Sequence, residues 1–152
     1  MSSSSINFRK IDDKFLKDNF WRNAFDQHAP FYESYVKYFK NGIVSGTPEI
    51  IDIHREAIYY TKDHALGSII IRLMQISARY PESSFIETLA FFLSRGHQQE
   101  RLFTVFSSIS RQSIEKLIAD INSVCSYLAS TGDDDIVDEL FRFRNVLYQI
   151  DA

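Results

Sequence analysis

Between Arg111 and Ser130 the apolar residues Ile114, Leu117, Ile118, Ile121, Val124, Cys125 and Leu128 return at steps of three and four. That spacing lines one side of an α-helix but would scatter over both faces of a strand. Gly132, just past the stripe, suits the left-handed residue that closes many helices. The same period governs most of the chain, and strand alternation is hard to find. An all-α fold is therefore predicted.

Other helices announce their ends. Pro30 fits a first helical turn, after which Phe31, Tyr35, Tyr38 and Phe39 share a face until Asn41 and Gly42 stop the run. Thr47-Pro48-Glu49 is a cap, a proline and an acid, and predicts a helix from about residue 48 to 62. Residues 64–80 are apolar on nearly every side except a strip of Arg72, Gln75 and Arg79, which predicts the most enclosed helix. It stops at Tyr80-Pro81, and Ser84 with Glu87 forms a capping-box pattern opening the next, which Gly96 ends. Leu102, Val105, Phe106 and Ile109 mark a short helix, and Asp133, Asp134 and Asp135 introduce a last one bearing Val137, Leu140, Phe141 and Leu147. With an amphipathic segment near 12–28, this makes a compact bundle of about seven or eight short antiparallel helices joined by brief connections.

A chain of 152 residues suits one domain, able to hide roughly 70% of its unfolded surface without a disulfide or metal. Residues 1–5, MSSSS, are expected to be disordered, and residues 6–152 to form a single helical domain. The lone Cys125 lies in the apolar stripe and reads as core packing. With no basic-then-apolar leader and no apolar run long enough to cross a bilayer, a soluble cytoplasmic protein is expected. Residues 1–40 hold seven Lys or Arg against five Asp or Glu, and the remainder ten against fifteen. So mild an imbalance makes nucleic acid a poor partner and leaves room for an acidic patch.

Residues 22–28 read RNAFDQH. Arg22 is followed by polar Asn23, and five residues separate it from His28. This resembles the signature of the HEPN ribonuclease superfamily, whose Arg and His lie on a helix of an all-helical domain. The resemblance implies a homodimer acting on RNA, with Arg22 and His28 at the scissile phosphate. Read from the residues alone, the stretch is a corner. Ala29 precedes Pro30 and is pushed out of helical geometry, leaving His28 in a final helical turn where an imidazolium meets the negative dipole end. The corner reading is preferred.

Elsewhere the spacing specifies no reaction. Arg95, His97, Glu100 and Arg101 gather around the break at Gly96, where charged side chains are usually solvated. His54 shares a face with Ile50 and Ile58 and reads as a hydrogen-bonded core histidine. Asp63-His64 is isolated, and the three successive aspartates lack the alternating ligands, central glycine and distant Glu of a calcium loop. No cofactor or metal is implied.

Ten of the 22 aromatic residues (13 Phe, eight Tyr, one Trp) fall within positions 1–40. Two short helices offer too few inward positions for all ten, so some should face solvent or another chain, as Tyr and Trp do at interfaces. Asp133, Asp134, Asp135, Asp138 and Glu139 make the strongest single-sign patch. The expected function is a non-catalytic protein-binding domain, such as an inhibitor, an immunity-type protein or an adaptor. Its contacts would come from Trp21, Tyr32 and Tyr35 or from those five acids, with a basic protein as partner to the latter. Monomer and homodimer both remain open, and the alternative is the HEPN-like ribonuclease built on Arg22 and His28.

Overall fold

The computed structural model describes residues 11–150, so the disorder expected at residues 1–5 lies outside the described residues. Among the described residues the chain is all-α, with one isolated pair of extended residues, Phe25 and Thr61. A 3-10 turn at Asp13–Leu16 leads into α1 (Asp18–Ala24). The contiguous segments Tyr32–Ser34, Tyr35–Phe39 and Lys40–Ser45 make up α2, residues 32–45, the middle segment being a wider π turn. Next come α3 (Pro48–Ile53), a 3-10 stretch (Arg55–Tyr60), α4 (Asp63–Arg79), α5 (Phe85–Ser94), α6 (Gln99–Ser107), α7 (Arg111–Ser130) and α8 (Asp134–Ile150).

The predicted stripe of α7 is its buried face: Ile114, Leu117, Ile121, Val124, Cys125 and Leu128 are buried, with Ile118 packed at the edge. Its end is a Schellman cap. Gly132 takes φ +85°, its N–H donates to Ala129 O, and the Asp133 N–H donates to Leu128 O at 2.9 Å. The link of residues 131–133 turns α8 back against α7, and α8 also packs on α5 and α6. α4 lies against α7 and α6 and is the enclosed helix that the sequence predicts. Its buried set includes Leu66, Ile69, Ile70, Leu73, Met74 and Ile76.

Arg72 belongs to that buried set as well. Only 4% exposed, it donates through Nε to Ile43 O (3.0 Å) and through its terminal nitrogens to Val44 O (3.4 Å) and Gln75 Oε1 (3.2 Å). Ile43 and Val44 lie in the last turn of α2, whose carbonyls have no partner within their own helix. A guanidinium there both satisfies them and meets the negative end of the dipole. Burial lowers the Arg72 pKa from its ordinary value.

Several predicted boundaries move. α2 runs on through Asn41 and Gly42 to Ser45 and ends at Gly46, which adopts φ +68°. Gly42 serves packing instead: a Cβ there would lie 2.9 Å from Ile51 Cγ1 and 3.2 Å from the Ile51 backbone nitrogen. The helix expected over 48–62 breaks at His54 and continues as 3-10. The segment near 12–28 is helical only at Asp13–Leu16 and Asp18–Ala24.

The capping box at Ser84 is not formed. Ser84 makes no side-chain cap, and the Phe85 N–H instead donates to Asp52 Oδ1 at 2.7 Å, from a helix far back in the chain. A carboxylate at that point also meets the positive end of the α5 dipole.

Asp52→Ala is therefore expected to lower the unfolding free energy by about 1–2 kcal/mol, and Ser84→Ala by no more than a few tenths. Denaturant titration of the two variants would show the reverse order if the local cap were in use. Gly42→Ala forces α2 and α3 apart and is expected to cost about 1–3 kcal/mol, read from the same titration as a lower midpoint.

Candidate functional site

The RNAFDQH stretch does not lie on one helix. α1 ends at Ala24, and Phe25 is extended (φ −116°, ψ 154°). The Asp26 N–H donates to Tyr60 O (2.9 Å) and the Lys62 N–H to Ala24 O (2.7 Å), stitching the chain to the 3-10 stretch. His28 sits beyond the helix in a turn closed by its own N–H donating to Asp26 Oδ1 at 2.9 Å, so its expected place in a final helical turn is corrected. Arg22 lies 3.7 Å from the Glu33 carboxylate, and its carbonyl accepts from the Tyr32 hydroxyl at 2.6 Å. Arg22 and His28 are both exposed, at the corner between α1 and α2.

The aromatic residues divide differently from the expectation. Trp21 is fully buried, its Nε1 donating to Phe15 O at 2.8 Å. It stacks on Phe25 at 6.0 Å, and Phe25 in turn meets Tyr35 and Phe39. Tyr35 is 3% exposed and stacks on Tyr60; burial, helped by Tyr60 and Glu56, raises its phenol pKa. Trp21 and Tyr35 thus leave the predicted contact surface, and Tyr32 is only half-exposed. The reason is tertiary: α1 and α2 also pack against α4 and the 3-10 stretch, so they have more inward positions than two isolated helices.

Among the described residues up to position 40, the outward aromatics are Phe31 (61% exposed) and Tyr38 (45%), joined by Ile53 (76%). His54 is half-buried at the end of α3, its ring stacked on Tyr38 at 5.7 Å and 12°. A ring partner thus replaces the hydrogen-bonded core setting that the sequence suggests. A small cleft of about 230 Å³ opens between Phe31, Ile53, His54 and Glu56. Burial lowers the His54 pKa below 6.5.

The acidic residues occupy the opposite end of the chain. Asp134, Asp135 and Asp138 are exposed on α8, while the Asp133 carboxylate accepts from the Thr131 hydroxyl at 2.8 Å. Glu139 departs from the predicted patch. It turns toward Arg95, 4.0 Å away, with only 22% of its side chain exposed. Burial raises its pKa, against the opposing pull of Arg95 and Arg142. In its place the fold adds Glu82 and Glu87, which share a cleft of about 380 Å³ with Asp133 over a floor including Pro81, Ile86, Tyr127 and Ile136. No sequence pattern links residues 82 and 87 to 133; only the packing of α5 and α8 does.

The charges around Gly96 join elements. Arg95 lies over the Phe91 ring at 3.9 Å, and Arg101 donates to Asp63 Oδ1 (2.5 Å), Thr61 O (2.8 Å) and Gln98 Oε1 (3.3 Å), holding α6 to the start of α4. His97 and Glu100 are exposed. The buried Cys125 thiol is pushed up to about 11 by desolvation, with Arg144 opposing. Among the described residues no helix is long and apolar enough to cross a membrane. Comparisons with protein-family models, curated proteins and solved structures find no match for this chain.

The His54 shift carries a signed consequence. With the folded-state pKa below 6.5, the unfolded chain takes up the proton first as pH falls. The contribution of neutral His54 is complete above the unfolded pKa and is lost as pH drops through it toward the folded value. The stability of the wild type relative to His54→Gln should therefore shrink on going from about pH 7.5 to about pH 5.5. The His54 ring signals in NMR should titrate with a midpoint under 6.5; a midpoint above 6.5 contradicts the packing described.

Proposed function

We propose that this chain is a non-catalytic protein-binding domain that captures a basic partner through its acidic end, in the manner of an inhibitor, an immunity-type protein or an adaptor. One observation carries the reading. Residues 80–90 and 122–141 contain Glu82, Glu87, Asp133, Asp134, Asp135, Asp138 and Glu139 and no Lys or Arg. All of these acids but Glu139, which Arg95 engages, are exposed.

Helix-start electrostatics account for Asp134, Asp135 and Glu87, each in a first turn. They do not account for Glu82 or Asp138; all six acids are exposed, and Glu82, Glu87 and Asp133 line one cleft. A field of one sign over a low-dielectric surface concentrates partners of the other sign and speeds their encounter. The outward Phe31, Tyr38 and Ile53 form a second exposed surface, more apolar and of mixed charge.

The test replaces Asp134, Asp135 and Asp138 together with Asn, which keeps the capping chemistry and removes the charge. Binding of a fluorescent oligolysine peptide at low salt should weaken by about tenfold or more, while the melting temperature moves by only a few degrees. A Phe31→Ser variant should bind as the wild type does. Unchanged binding in the aspartate variant, or a loss confined to Phe31→Ser, rejects the acidic end as the contact surface.

A further inference from the structure

The geometry points to the cleft between the α4–α5 turn and the α7–α8 corner as the seat of one apolar side chain carried on a basic segment of the partner, a deepening that rests on the reading just proposed. Charge alone would need no cleft, and an apolar anchor alone would need no acids. Here the two occur together.

The floor is apolar and built in. Ile86 is 2% and Leu128 5% exposed, Ile136 packs against the core from the edge, and Pro81 closes the side where α4 ends. Tyr127, in the last turns of α7, keeps 39% of its surface exposed. Glu82, Glu87 and Asp133 share the lining with these groups, and no Lys or Arg does. At about 380 Å³ the cleft lies near the lower end of the range for small-ligand sites, a size suited to a side chain.

The rim chemistry selects the occupant. An uncharged apolar partner would strip water from three carboxylates without replacing those contacts, which is costly. A uniformly cationic partner would meet the carboxylates but leave Ile86, Ile136 and the Tyr127 ring wet. A segment with a Leu, Met or Phe flanked by Lys or Arg satisfies both sets, the apolar side chain packing on the Tyr127 ring and the cations meeting the carboxylates. Ser84 contributes to the same lining. Because Asp52 caps α5, the Ser84 hydroxyl is free of that duty and faces the partner as a hydrogen-bonding group.

Three labelled peptides of equal length decide the matter by fluorescence anisotropy: oligolysine, oligolysine with one central Leu, and the same Leu peptide with its lysines replaced by Gln. The Leu-bearing basic peptide is expected to bind at least about tenfold more tightly than oligolysine, and the Gln peptide not measurably. Tyr127→Ser should abolish that preference while leaving oligolysine affinity as in the wild type. Methyl NMR of the unaltered protein should show Ile86 and Ile136 shifting with the Leu peptide and not with oligolysine, a readout independent of how well any variant folds. Equal binding of the two basic peptides, or a Leu peptide that leaves both methyls unmoved, overturns the anchor and leaves the acidic end standing. Failure of both basic peptides to bind overturns both.

Discussion

Arg72 is a charged side chain in the middle of the most enclosed helix, and the arrangement of the first half of the chain follows from where it reaches. Removing a guanidinium from water is costly, and the cost is met only where acceptors are fixed in place. The acceptors are the carbonyls of Ile43 and Val44, which the end of α2 would otherwise leave without partners. The contact thus solves two problems, an unsatisfied helix end and a buried cation. It also fixes α2 against α4 in one register. Gly42 lets α3 approach from the other side, closely enough that a methyl group would not fit. With α2 and α3 so held, Trp21, Phe25, Tyr35 and Phe39 close into a ring-on-ring core under them.

The same device recurs at other helix ends. Asp52 caps α5 from a distant part of the chain, and Arg101 reaches back to Asp63 and the Thr61 carbonyl at the start of α4. In each case a polar side chain from one helix terminates or anchors another. The Asp52–Phe85 and Arg101–Thr61 contacts are worth more than surface ion pairs because their acceptors are directed and partly shielded, whereas Asp63 is exposed. They also release local residues from service: Ser84, which its own sequence context casts as a cap, is left on a surface cleft.

The aromatic residues and the exposed acids divide between two parts of the chain. Most of the described aromatic residues in the first forty positions serve the core, and Phe31 and Tyr38 are the exposed ones among them. The opposite end owes its character to the lack of any cation in two segments that the chain keeps far apart and the packing of α5, α7 and α8 brings together. Glu139 differs from its neighbours because Arg95, itself resting on the Phe91 ring, draws it inward. An acid one helical position away from an exposed one can thus belong to the scaffold.

The sequence by itself determined the helices whose signals are local. The stripe of α7, its glycine stop, the enclosed character of α4 and the corner at Pro30 all follow from periodicity and backbone preference within a few residues. The all-α class follows with them. Only the tertiary structure decided which aromatics are hidden, which acid caps α5, where α2 ends and which carboxylates share a cleft. Each of those outcomes depends on a neighbour distant in sequence: Ile43 for Arg72, Asp52 for Phe85, Glu82 and Glu87 for Asp133. Local preference sets the cost of a conformation residue by residue, whereas burial and hydrogen-bond satisfaction are set by whatever surface arrives opposite. That surface exists only once the helices have packed.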